Sequence, residues 1–360
     1  MWPNEKLRDL LGIDLPIIQA PMAGANGAEM AIAVSEAGGL GSLPCAMLDS
    51  VKASAEIGII RQRTNKPINV NFFCHTPATP DPVRNAAWQD KLAAYYTELG
   101  VDAATAPPGA SRTPFDEAMC EIVEEHRPEV VSFHFGLPEK SLFDRVKASG
   151  SIVLSSATTV EEALWLEANG CDAIIAQGYE AGGHRGLFLS EDISTQPGTF
   201  ALVPQIVDAV NVPVIAAGGV ADGRGIAAAF ALGAAGVQIG TAYLFTPESL
   251  ISDLHRSALM NATDNTTALT NLFSGKPARG LVNRVMREVG PMLADAPPFP
   301  TAGATLAPLK AKAEKSGLAD FSSLWAGQAA SLGSNLNARD LTLQLVLDAQ
   351  NCLNSLRVAD

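Results

Sequence analysis

The sequence predicts an α/β chain folded as a (β/α)8 TIM barrel, with an inserted helical segment and a C-terminal helical cap. Three observations predict it. Eight short apolar, β-branched runs recur along the first two thirds of the chain, each is followed by an amphipathic helical stretch, and several are entered through a helix ending in glycine. In order they are PIIQAPM (16–22), GLGSLP (39–44), PINVNFF (67–73), VVSFHFG (130–136), SIVLSSAT (151–158), DAIIAQG (172–178), VPVIAAGG (212–219) and GVQIGTAYLF (236–245). Apolar runs without polar alternation suit strands buried on both faces, as in a parallel sheet. The segments SEAGGLGSL, EANGCDAII and ALGAAGVQI each put glycine where a helix end needs positive φ before the next strand. Eight such units closing on themselves make the barrel, and a doubly wound open sheet is the alternative.

Two stretches break the period. Residues 75–129 hold the proline-rich HTPATPDP and two helical patterns, VRNAAWQDKLAAYYTELG and FDEAMCEIVEEHRP, between the third and fourth strands. They leave a strand's C-terminal end, so the insertion is placed to cover an active site. The barrel is expected over residues 1–245. Residues 246–360 carry three helical patterns and the loop ADAPPFPTAG, and predict a mainly helical, substrate-covering region rather than another sheet.

Composition narrows the function. With 47% hydrophobic residues, the 360-residue chain can bury one large core or two moderate ones. A net charge of −13 without any basic run argues against nucleic-acid backbones and anionic membrane surfaces as partners. The cysteines (Cys45, Cys74, Cys120, Cys171 and Cys352) are odd in number and never spaced C-x-x-C, so they read as reduced thiols rather than a disulfide framework or zinc site. The segment Met1–Leu10 mixes charges of both signs, and no apolar run approaches the roughly 20 residues that span a bilayer. A cytoplasmic protein, monomer or homodimer, with a small-molecule substrate is the expectation.

In a parallel barrel, function is read at the C-terminal strand ends. Here those ends offer Gln19 to Ala23, Asn69 and Asn71, His134, Ser155 and Ser156, Gln177 with the turn EAGGHRG (180–186), Gly218 and Gly219, and Gln238 to Thr241. Hardly a carboxylate is among them, which disfavours glycosidic acid/base pairs and oxygen-ligand metal sites. The set suits a neutral heterocycle rich in hydrogen-bonding groups. After the seventh strand Gly218 and Gly219, and after the eighth Gln238, Ile239, Gly240 and Thr241, stand at the two loops where barrels commonly grip phosphate through bare main-chain N–H groups. No Walker-type lysine or G-x-G-x-x-G follows the first strand, so neither a nucleoside triphosphate nor a Rossmann-bound dinucleotide is supported. Ring-facing amides plus a distant phosphate describe FMN: Asn71 and Gln177 for the pyrimidine edge, and Pro21, Met22 and Ala23 near N5. Asn69 and Asn71 are two apart on one strand and are expected to act together.

The motifs QAPMAG, NVNFF, VSFHFG, AQGYEAGGHRG, AAGGV and VQIGT, in this order, resemble those of the nitronate monooxygenases, formerly 2-nitropropane dioxygenases, in their larger class I branch. The resemblance spans roughly residues 12–245. It implies an FMN-dependent barrel that oxidises alkyl nitronates, such as propionate 3-nitronate, with O2 to a carbonyl compound and nitrite, a detoxification needing neither NAD(P)H nor metal. It also implies that His184 lies over the flavin beside the substrate. Gly182 and Gly183 let the backbone pass close to the ring, and His184 can meet a nitronate as an imidazolium or serve as base toward a neutral nitroalkane.

Other residues read less sharply. His134 alternates with Phe133 and Phe135, and is equally a core histidine or a pocket residue. In the class I branch the loop after the barrel carries tyrosines and a lysine; the counterpart here, PPFPTAGATLAPLK, has Phe299 to bound a small pocket, no tyrosine, and Lys310 in a position that leaves its equivalence open. Arg185 reads as a solvated loop charge, His75, His126 and His255 as surface groups, and Ser155 and Ser156 as small packing against the cofactor. Flavin reductases of the enoyl-[acyl carrier protein] or quinone type are similar at APMAG, EAGGH and the phosphate loops, and would draw hydride from NAD(P)H; a flavin-binding barrel without turnover is the third reading. The insertion and long tail favour the nitronate reading, because a reductase must leave its flavin face open to a nicotinamide.

Overall fold

The structure, a computed structural model, describes residues 2–79, 81–103 and 112–356. Its strands are β1 (Ile17–Gln19), β2 (Gly41–Pro44), β3 (Ile68–Phe73), β4 (Val130–His134), β5 (Ile152–Ala157), β6 (Ala173–Gln177), β7 (Gly183–His184), β8 (Val214–Ala217), β9 (Gly236–Ile239), β10 (Thr267–Thr270) and β11 (Ala278–Leu281). Each of the eight apolar runs contributes one strand to a parallel sheet in the order β1-β9-β8-β6-β5-β4-β3-β2. A parallel bridge between Ile18 and Leu40 joins β1 to the segment entering β2 and closes the ring. The barrel is therefore built as the sequence predicts, and the three helix-ending glycines Gly38, Gly170 and Gly233 have φ of 96°, 94° and 93°. The eighth strand is shorter than its apolar run: β9 stops at Ile239, and Thr241–Phe245 form a 3-10 turn begun by the bond from Tyr243 N–H to Gly240 C=O.

Two apolar layers hold the ring. Inside, Ile18, Leu40, Val130, Leu154, Ile175 and Ile215 pack against Leu7 and Leu11 of the helix Lys6–Leu11, which plugs the N-terminal end. Outside, strand residues such as Val70, Val131, Val153, Ile174 and Val237 pack on the surrounding helices. The outer ring takes in two helices that the sequence places elsewhere. Helix Glu117–His126, counted with the insertion, packs between Ser50–Arg63 and Lys140–Ala148. The last helix, Ala338–Ser355, expected in the cap, lies instead against Gly223–Ala231 and Ala28–Glu36, where its buried Leu341, Leu345 and Ala349 cover the wall beside the first and last strands.

The cap over the barrel mouth joins both irregular stretches. Helix Pro82–Leu99 of the insertion packs on Ala302–Lys315, sharing a core of Trp88, Leu92, Leu306 and Leu309, and Trp88 Nε1–H donates to Ala302 C=O at 3.0 Å. The C-terminal region, expected to be mainly helical rather than to carry another sheet, does contain one, since β10 and β11 form an antiparallel hairpin that adds β7 as a third strand. Four-residue strands carry too little alternation to be read locally, and this pair is defined by the partner it binds. Among the described residues no helix is long and apolar enough to cross a membrane.

Candidate active site

The C-terminal ends of the barrel strands open into a cavity of about 600 Å³. Parallel register sets Gln177 beside Ala217 and Ala217 beside Gln238, so three neighbouring strands reach the mouth at one level. Of the predicted residues, Pro21, Met22, Ala23, Asn71, His134, Gln177, Gly182, Gly183, His184, Gly218, Gly219, Gln238, Gly240 and Thr241 line this cavity, as does Lys310 from the cap. Ile239 does not. With Gln238 facing the cavity, strand alternation sends Ile239 into the layer between strands and helices, where it is fully buried. Ser155 is turned away for the same reason, its hydroxyl donating to Phe133 C=O (3.2 Å) and Gly136 C=O (2.9 Å), whereas Ser156 lines the cavity. Asn69 shares a face with Asn71 but sits one layer deeper, bonded to Ser42 Oγ at 2.9 Å, so the two amides act apart.

The turn EAGGHRG is fixed, not a mobile surface loop. β7 pairs antiparallel with β11, placing His184 opposite Ala278. Gln177 clamps the turn, its Nε2–H donating to His184 C=O (2.9 Å) and its Oε1 accepting from Gly186 N–H (2.7 Å). Arg185, expected in solvent, is instead 1% exposed. Its guanidinium donates to the carbonyls of Gly178 (2.9 Å), Gly183 (3.0 Å), Gly182 (3.2 Å) and Ala181. A loop that curls its carbonyls inward needs one buried donor fork, and only arginine supplies five N–H groups in that geometry. Burial, and then the neighbouring Arg279, lower its pKa to about 9, so it stays charged at neutral pH. Arg185→Met should cost about 3–5 kcal/mol by stranding these carbonyls. Urea unfolding checks this; a loss under about 1 kcal/mol contradicts the caged-arginine account.

Glu180 and Glu162 brace the same region. The Glu180 carboxylate accepts from Thr199 N–H and Oγ–H, both at 2.8 Å, at the start of helix Thr199–Ala209. Buried Glu162 accepts from Thr158 N–H and Oγ–H (both 2.7 Å) and from Phe188 N–H (2.8 Å), tying the chain after the histidine turn to the loop after β5.

His184 is enclosed by Phe73, Phe135, Phe299 and Trp325, with ring centroids 6.3, 6.1, 5.5 and 5.4 Å away. Phe299 thus bounds the histidine, although it lies outside the cavity lining itself. Ser274 Oγ–H donates to Lys276 C=O (3.3 Å), which leaves Oγ to accept from His184 Nε2–H at 2.8 Å and makes Nδ1 the unprotonated nitrogen. Burial, followed by repulsion from Arg112, from His134 were it also to protonate, and from Arg185 and Lys276, holds the His184 pKa well below 6.5. The imidazole of the free site is therefore neutral at pH 7. His134 is likewise pushed down to about 4, chiefly by burial, and its Nδ1 meets Ser156 Oγ at 3.1 Å.

Two of the three histidines read as surface groups are buried by the cap. His75 Nε2–H donates to Arg112 C=O (3.0 Å) and His255 Nε2–H to Trp325 C=O (3.2 Å), while His126 is half-buried against Ser54 (2.8 Å). Arg112, Ser274, Lys276 and Trp325 surround His184 in the fold and are not among the residues read from the sequence. Each comes from a loop with no local motif, and only the folded cap brings it to the histidine. The remaining end of the cavity is built from main chain. Gly218 and Gly219 have φ of 107° and 71°, and the N–H groups of Gly218, Gly219 and Gly240 meet no acceptor among the described residues. The neighbouring helix Gly223–Ala231 is already capped by Asp222, whose carboxylate accepts from Arg224 and Gly225, so the open donors lie in the glycine loop and not on that helix. Among the described residues no group of three or more His, Cys, Asp or Glu is placed to hold a metal ion.

Known proteins are similar to this chain along nearly its whole length. A nitronate monooxygenase from Pseudomonas aeruginosa is 42% identical over 349 residues, covering 95% of this chain and 98% of that protein. One from Paraburkholderia phytofirmans is 41% identical, covering 98% and 96%. Among solved structures, nitroalkane oxidase from Streptomyces ansochromogenes superposes with a TM-score of 0.88 at 37% identity over 98% of this chain and 100% of that one. FabK from Thermotoga maritima follows at 0.72 and 27% identity, covering 98% and 97%. The nitronate monooxygenase family profile matches residues 4–348. With its closed barrel, its histidine held on β7 and relatives matched from end to end, the chain belongs to the nitronate monooxygenase family and is an oxidoreductase.

Proposed function

We propose that the chain is an FMN-dependent monooxygenase that converts alkyl nitronates and O2 into carbonyl compounds and nitrite. The observation that carries this reading is a neutral, half-buried His184 flanked by cations and aromatic rings at the barrel mouth, in a cavity also lined by glycines with open main-chain donors. The residues present fit FMN. Gln238 Oε1 is a buried acceptor without a partner, of the kind a ring N–H or ribityl hydroxyl satisfies, and the Gly218, Gly219 and Gly240 amides suit a phosphate. A side chain at Gly218 would begin 3.0 Å from Ala181 N, and one at Gly182 2.6 Å from Gly327 N, so the backbone approaches there only as glycine. Asn71 spends its amide protons on Ser132 C=O (3.1 Å) and Oγ (2.9 Å), leaving Oδ1 for a ligand. When bound, the flavin supplies the electron acceptor and the centre that reacts with O2.

The protein's own groups then divide the work. Arg112 at the cavity and Lys276 over Phe135 (5.0 Å) give the site a positive potential that favours an anion already formed. His184 Nδ1 holds a lone pair toward which a proton can move, either from the carbon of a neutral nitroalkane or from solvent as the anion arrives and raises the imidazole's affinity for it. Cytoplasmic placement and action as a monomer or homodimer belong to the same proposal. Purified protein given propionate 3-nitronate in air, without NAD(P)H, should release nitrite and consume O2; no nitrite under those conditions overturns the reading.

A further inference from the structure

Arg112 stands at the mouth with no hydrogen-bond or ion-pair partner for its side chain among the described residues. Its backbone carbonyl accepts from His75, and its guanidinium lies over the Phe299 ring at 5.7 Å. It lines the same cavity as His184, whose ring is flanked by Phe73 from the cavity wall and by Phe299 behind it, while the nearest hydroxyl, Ser274 Oγ, is already engaged by the imidazole. A guanidinium drawn partly out of water and left without a carboxylate is costly, and this one is buried enough that burial alone lowers its pKa. The nearby Arg185 carries its own set of carbonyl partners. Lys276 is the second cation near the histidine; Glu191 and Glu162 act on it from a distance, and no carboxylate pairs with it among the described residues.

A nitronate brings one negative charge. Arg112 and Lys276, neither paired with a carboxylate among the described residues, stand beside one neutral imidazole and leave room for a second negative charge. Resting on the nitronate reading above, we propose that Arg112 is a specificity-determining residue that binds a carboxylate on the substrate's tail, so that nitronates with an anionic tail are preferred to alkyl nitronates with a neutral one. The planar fork of arginine pairs bidentately with a carboxylate, and the apolar face of Phe299 supports it from below.

The experiment compares propionate 3-nitronate with 1-propylnitronate, equal in carbon number and different only in tail charge, in the FMN-loaded wild type and in Arg112→Met and Arg112→Lys. Removal of one charge-assisted pair should raise KM for the carboxylated nitronate about 10- to 100-fold with kcat nearly kept, and lower its kcat/KM at least tenfold more than that of 1-propylnitronate. Arg112→Lys should fall between. Succinate, which has the charge spacing of the carboxylated nitronate and cannot be oxidised, should inhibit the wild type competitively and lose that inhibition in Arg112→Met, whereas butyrate should inhibit neither well. Equal losses for both nitronates would assign Arg112 to the nitro group itself and overturn the proposal, as would unchanged succinate inhibition. Absence of nitrite from either substrate in the wild type would instead refute the nitronate reading, and flavin content separates a misfolded variant from an informative one.

Discussion

His184→Asn should yield a protein that keeps its flavin and its fold but loses most turnover, unequally between two substrates. For a neutral nitroalkane the loss should be about 10²–10⁴-fold, because asparagine cannot take the proton that Nδ1 is placed to accept. For the preformed nitronate no carbon proton has to leave, and the loss should be about 10- to 100-fold, the worth of a hydrogen bond to a charged group. The fold should survive since asparagine still reaches toward Ser274 and the turn is clamped by Gln177 and Arg185, not by the imidazole. The sign of the pH dependence follows from the same electrostatics. A histidine held well below 6.5 stays an available base as the medium is acidified through 6.5, so the acid limb of kcat/KM for a nitroalkane should fall below that pH. Steady-state kinetics on both substrates, with the visible spectrum as the control for flavin content, checks each part. Full activity in the variant contradicts a catalytic histidine.

Gly218→Val should abolish flavin retention. The residue has φ of 107°, which L side chains avoid at a cost of about 1–3 kcal/mol, and its Cβ would start 3.0 Å from both Ala181 N and Thr199 Oγ1. Relief of that contact moves the loop whose open N–H groups face the cavity. An increase of 10²-fold or more in the Kd for FMN is expected, with Gly218→Ala intermediate. The strain is smaller than the roughly 5–15 kcal/mol by which a domain is stable, so the variant should fold, as far-ultraviolet circular dichroism will show, and be isolated pale. A yellow Gly218→Val protein with unchanged affinity would move the phosphate elsewhere.

The barrel was legible because every barrel strand lies in an apolar run and several are entered from a helix ending in glycine, and both signals are local. The lining of its mouth was legible for a related reason, since strand alternation decides which of Gln238 and Ile239 faces in. What alternation does not give is depth: Asn69 and Asn71 share a face, and only the layer in which each ends separates a core amide from a cavity amide. Charge was misread where burial depends on distant chain. Arg185 beside two glycines has every local mark of a solvated residue, and it is the surrounding carbonyls of residues 178–183 that turn it inward. His75 and His255 were misjudged similarly, because the cap that buries them is assembled from segments more than two hundred residues apart in sequence, such as Trp88 and Ala302. Arg112, Ser274 and Lys276 carried no signal that a single sequence could expose.

Under the proposed function this barrel mouth holds FMN and passes it electrons from a nitronate without a nicotinamide. Anaerobic mixing of the purified yellow protein with propionate 3-nitronate tests that directly. Prompt loss of the oxidised flavin spectrum is expected on adding the nitronate, with no such change from NADH or NADPH; rapid bleaching by a reduced nicotinamide with indifference to the nitronate would overturn the proposed function.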